Sequence, residues 1–109
     1  VYKRQDLSET DLSDALLNGA QLARADLTMA KLDRADARNI NLSRAVLTGA
    51  SLAATNLENA YLYRTNLEGV DLSKSTGLTE IQLRGSCGNS ETRLPTGLKP
   101  PADWPCDTE

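Results

Sequence analysis

Leucine falls on every fifth residue of the chain, at positions 7, 12, 17, 22, 27, 32, 42, 47, 52, 57, 62, 67 and 72, with one beat missed at Ala37. Two residues before the beat stands a small side chain. It is alanine at 15, 20, 25, 30, 35, 45, 50 and 60, with Thr10, Thr55, Thr65 and Val70 as variants. The other three positions of each five carry most of the charge. Neither regular element can use this period. Five residues of α-helix turn through about 500°, which would scatter the leucines over every face. In a strand of period two, successive leucines would alternate between faces. The chain must therefore turn a corner every five residues.

Four corners close a square, so about twenty residues make one coil, and stacking buries what each ring alone leaves open. Gln5 to Lys74 holds fourteen such units, or about 3.5 coils. Leucines point to the axis in ladders: Leu22, Leu42 and Leu62 form one, and Leu27, Leu47 and Leu67 the next. The small residue also points inward, beside the corner. Ala37, between Leu17 and Leu57, is expected to leave a thin spot that a leucine could fill.

Runs such as Ala25-Asp26-Leu27, Ala50-Ser51-Leu52, Thr55-Asn56-Leu57 and Thr65-Asn66-Leu67 resemble the A-(D/N)-L-x-x motif of pentapeptide-repeat proteins. The resemblance covers about residues 5 to 76. It implies an all-β solenoid, a right-handed quadrilateral β-helix, and the handedness comes from the resemblance alone.

At 109 residues there is room for one small core. Phe is absent and aromatics make up 4%, so that core is a leucine stack. No run approaches the ~18 apolar residues of a membrane span. Val1 reads as a processed or engineered start. Tyr2 falls where a leucine would stand, either plugging the open end of the core or marking where a longer solenoid was cut. The repeat fails after Lys74, dividing the chain into a solenoid over 1–76 and a cap or tail over 77–109. Leu78, Ile81 and Leu83 fit a short helical turn or an irregular cap. Glycines 85, 88 and 97 and prolines 95, 100, 101 and 105 forbid any long regular element beyond it. Such a cap shields the last coil's apolar core and unpaired edge. Trp104 is expected to pack over the final leucines rather than bind a ligand. The stretch Leu94-Pro95 to Pro105 also resembles tails that follow pentapeptide repeats in bacterial proteins.

Both cysteines, Cys87 and Cys106, lie in the tail. Their even count, the Pro/Gly-rich context and the lack of CxxC spacing favour a disulfide, with two reduced, buried thiols as the alternative. A disulfide places the protein outside the cytoplasm, in a periplasm or thylakoid lumen; reduced thiols leave it cytoplasmic. The arrangement resembles the lumenal and periplasmic members of the family, which carry a disulfide in a C-terminal cap.

Histidine is absent, so no Ser-His or Cys-His pair and no Cys₂His₂ zinc site can form. Serines 8, 13, 43, 51 and 73 have no obvious base. The exterior carboxylates are expected to keep ordinary pKa values, and Asp33 with Asp36 make a weak metal site. No catalytic residue, cofactor or metal is expected, and the chain reads as a non-enzyme.

What remains is the surface. Residues twenty apart share a face, so Arg4, Arg24, Arg44 and Arg64 form a column, edged by Tyr61 and Tyr63. Arg84 keeps the count but lies beyond the repeat break. The column is a candidate stripe for an anion, a nucleic acid or an acidic partner. The plainer alternative is a solvated face whose lower arginines pair with Asp6 and Asp26. The family's best-known activity is mimicry of DNA by long acidic dimers that bind DNA gyrase. Through Thr76 this chain carries nine Lys/Arg against ten Asp/Glu, far less negative than a duplex with a charge per ~1.7 Å. A sequence pI near 4.9 likewise opposes nucleic-acid binding. The expected protein is a monomeric, extracytoplasmic structural or protein-interaction module with an unknown protein partner.

Overall fold

The computed structural model describes residues 5–102 and 104–106; Val1, Tyr2 and Arg4 lie outside them. Unit 26–30 shows how the chain spends its five N–H groups. Asp26 donates to the Gln5 carbonyl of the coil below (2.7 Å), while Leu27 and Met29 donate to Val46 and Thr48 of the coil above (2.8 and 2.9 Å). Ala30 donates back to Leu27 across the corner (2.9 Å). The fifth group, on Thr28, finds no carbonyl and donates to the Asp26 side chain (3.0 Å). Isolated parallel bridges record the register: Asp6 pairs with Asp26, Asp26 with Val46, and Val46 with Asn66. The other three faces repeat this twenty-residue offset.

Each corner from Glu9 to Gly69 places one residue in the left-handed region. Glycines 19, 49 and 69 do so without steric cost. Ten side-chain-bearing residues, Glu9, Asp14, Arg24, Met29, Arg34, Asn39, Arg44, Ala54, Asn59 and Arg64, do so at φ of 57–65°. An L-residue there costs roughly 1–2 kcal/mol. The inter-coil bonds on either side of the corner hold it in place.

Leucines 27, 32, 42, 47, 52, 57, 62, 67 and 72 are buried with the inward alanines, while Leu7, Leu12, Leu17 and Leu22 at the N-terminal end are partly buried against them. Thr55 and Thr65 fill small inward slots, and their hydroxyls donate to the carbonyls of Leu32 and Leu42 (2.6 and 2.7 Å). That bond removes the desolvation cost a buried hydroxyl would otherwise carry. The unit at Ala37, where a thin spot is expected, also holds Ile40. Ala37 and Ile40 are both completely buried, so this unit carries its large side chain in the second inward slot and its small one in the first.

Beyond the repeats the wall continues. Thr76 still pairs with Asn56. Gly77 turns at φ +84°, with its Cβ position 2.5 Å from the Glu58 amide nitrogen, so no side chain fits. Helix α1, Glu80–Arg84, then begins on a capping box: the Thr79 hydroxyl accepts from the Gln82 N–H, and the Gln82 side chain accepts from the Thr79 N–H. The Gln82 amide also donates to the carbonyls of Leu57 (2.9 Å) and Ala60 (3.1 Å), covering part of the last edge. Leu83 of α1 is completely buried in the core. Cys87 next pairs with Asn66 and Arg93 with Asp71, so the offset grows to 21 and then 22 residues. Trp104 packs against the core, its indole N–H donating to the Ser86 carbonyl (3.1 Å) and its ring closing over Gly88.

Candidate functional site

The arginine column is built by the corners. Arg24, Arg44 and Arg64 occupy the same left-handed turn position in successive coils, which directs each side chain away from the core. The Arg44 guanidinium carbon lies 5.9 Å from the centre of the Tyr63 ring, and that of Arg64 lies 5.8 Å from it. One ring thus serves two cations, a contact driven by the ring quadrupole. Among the described residues neither arginine makes an ion pair with a carboxylate. Two arginines elsewhere do: Arg34 binds Asp14 of the coil below through two nitrogens (2.9 and 3.1 Å), and Arg38 binds Asp36 (2.8 Å). The column ends at Arg64. Its N–H donates to the Gly85 carbonyl (2.6 Å) as that of Arg44 does to Tyr63, so Gly85 lies over Tyr63 and Arg84 falls out of register.

Two clefts meet at Gly85, which lines both. One lies between Tyr61, Leu62 and Ile81 of α1, with Asn39, Asn59 and Gln82 on its border. The other is lined by Arg44 and Arg64, facing Asn66, Ser86 and the disulfide that joins Cys87 to Cys106. Tyr61, Tyr63 and Ile81 are exposed at 65%, 56% and 75% despite their apolar surface. The disulfide closes a span of 19 residues and brings the Trp104 segment against the coil.

The expectation of ordinary carboxylates needs correction. At all eight places where Asp or Asn precedes the beat, seven before a leucine and one before Ala37, the side chain accepts from the N–H two residues on, at 2.9–3.3 Å. The Ser8 hydroxyl and N–H hold Asp6 below its usual 3.8, Ser13 does the same for Asp11, and Ser73 for Asp71. The Arg38 side chain lowers Asp36, and the Arg34 side chain lowers Asp14. Four serines therefore do sit on carboxylates: Ser8 on Asp6, Ser13 on Asp11, Ser73 on Asp71, and Ser51 on Asp33. Asp6 and Asp71 are thereby better acids and poorer bases, and the contacts serve the turns. The sequence reading overlooked this role because an outward aspartate looks like solvent charge. The signal was there: Asp or Asn alternated at one position.

The family model for pentapeptide repeats (8 copies) matches residues 6–44 and 40–76. The chain belongs to the pentapeptide repeat family. Members form right-handed quadrilateral β-helices. Among solved structures, the pentapeptide repeat protein alr5209 from Nostoc PCC 7120 is similar over 88% of this chain and 78% of its own, at 26% identity and a TM-score of 0.77. Rfr23 from the cyanobacterium Cyanothece 51142 is 28% identical over 82% of this chain and 63% of its own, with a TM-score of 0.38. HetL from Nostoc sp. PCC 7120, involved in heterocyst differentiation regulation, is 29% identical over 85% of this chain and 46% of its own, with a TM-score of 0.41. The chain thus spans less than two thirds of the latter two. No curated protein matches it by sequence. Among the described residues, no helix is long and apolar enough to cross a membrane.

Proposed function

We propose that this chain is a non-enzymatic protein-interaction module. It is a solenoid of about 3.5 coils over residues 1–76, closed by a cap over 77–109, and it works outside the cytoplasm as a monomer. The observation that carries this reading is the pair Arg44 and Arg64. They share one tyrosine ring and have no carboxylate among the described residues, whereas Arg34 and Arg38 each hold one. Two neighbouring cations without acids repel each other, and they lie beside exposed Tyr61 and Tyr63 in a surface that suits a partner. The Cys87–Cys106 bond supports an oxidising compartment.

The test is cross-linking of the full chain in an extract of its native compartment, compared with R24Q/R44Q/R64Q. The reading expects a discrete adduct that the triple variant loses. An adduct formed equally by both proteins would place recognition elsewhere on the solenoid.

A further inference from the structure

The two clefts that meet at Gly85 differ in chemistry. One is walled by Tyr61 and by Ile81 of α1. The other is walled by Arg44 and Arg64. Tyr63 lines the first, and its ring carries both guanidiniums of the second. A ligand crossing this corner meets apolar surface and then two positive charges on successive coils, whose backbones lie about 4.8 Å apart. We propose that the corner recognises an acidic peptide segment in which a large apolar side chain flanks one or two carboxylates. The apolar side chain enters the groove between Tyr61 and Ile81, and the carboxylate sits between Arg44 and Arg64. This names the partner chemistry of the interaction module proposed above and rests on that reading.

Three observations favour this ligand. Of the five large exposed hydrophobic residues among those described, three are Tyr61, Tyr63 and Ile81, so apolar surface is concentrated beside the cations. A guanidinium held against a ring keeps its N–H edge for a carboxylate, and a restrained side chain loses less entropy on binding. The charged stretch is also short. Two rungs match about two extended peptide residues at roughly 3.3 Å each. A net charge of −3 opposes longer polyanions such as nucleic acid, which bind through many phosphate contacts.

The test is selection of the full, oxidised chain against a random peptide library displayed on phage, followed by synthesis of the enriched peptides. The expected peptides carry Asp or Glu next to Leu, Ile or an aromatic residue. R44Q/R64Q should weaken them at least tenfold and flatten the salt dependence of binding. I81S should weaken them several-fold with the salt dependence intact. Enrichment of basic or uncharged peptides, equal binding by R44Q/R64Q, or tighter binding of oligothymidine than of the peptides overturns the proposal. If selection fails while the native cross-link still requires the arginines, the peptide chemistry alone is wrong. If both fail, the module reading falls with it.

Discussion

An aspartate or asparagine before the leucine fills a gap that the coil leaves open. Three N–H groups of a unit reach neighbouring coils and one closes the corner, so the residue after the leucine depends on a side chain. Asn41, Asn56 and Asn66 do this without charge, whereas Asp6, Asp11, Asp36 and Asp71 do it with pKa values held below 3.8. In that range the folded chain binds fewer protons than the unfolded one. Stability is therefore full above the unfolded value and falls as pH drops through the folded ones. Denaturant midpoints should decline on acidification below about pH 4, and D11N/D71N should flatten that decline while leaving neutral stability intact. A profile unchanged by the asparagines would remove the turn bonds as its cause. Inside, Ala37 and Ile40 hold between them the same volume as the leucine and alanine of other units. Ala37→Leu should overpack and cost about 1–3 kcal/mol, and adding Ile40→Ala should recover most of it in a thermal melt. The leucine beat was legible because burial has a period. The capping role was not, because it depends on which N–H a turn leaves over.

At the scale of turns and cap, the left-handed corners store strain that glycine can release. Ala54 sits at φ +60° with an exposed side chain. Relief of roughly 1–2 kcal/mol, less the ~0.4–1 kcal/mol of unfolded-state freedom that glycine adds, should leave Ala54→Gly as stable or up to about 1.6 kcal/mol more stable. Gly77→Ala should do the reverse, since its Cβ meets the Glu58 backbone. The extent of the repeats could be read from sequence, but the cap's layering could not. Inserting α1 shifts the offset to 21 and 22, and no five-residue beat announces that Cys87 and Arg93 extend the wall. Thiol titration of the denatured, unreduced protein should find no free cysteine. Cys106→Ser should loosen the tail more than the coils, with protease cutting first between Ser86 and Pro105. A variant cut first within the repeats would show that the bond supports the solenoid itself.

Over the whole molecule, the fold follows from one repeated rule, and the surface differs from face to face. Arg34 and Arg38 are tied to carboxylates, whereas Arg44 and Arg64 share Tyr63. The column was legible as a count of twenty. The partnership with Tyr63 and the apolar groove beside it were not, since Ile81 arrives from α1. The central claim is that these two arginines serve recognition rather than folding, and the stability of R44Q/R64Q against wild type across a salt series tests it most directly. Loss of the ring contacts costs about 0.5–1 kcal/mol each at exposed sites, and relief of repulsion offsets this while screening is weak. The account predicts a net change within about 1 kcal/mol, most favourable to the variant at low salt and shifting toward wild type as salt rises. A larger loss, equal at every salt concentration, would make the arginines structural and contradict the claim.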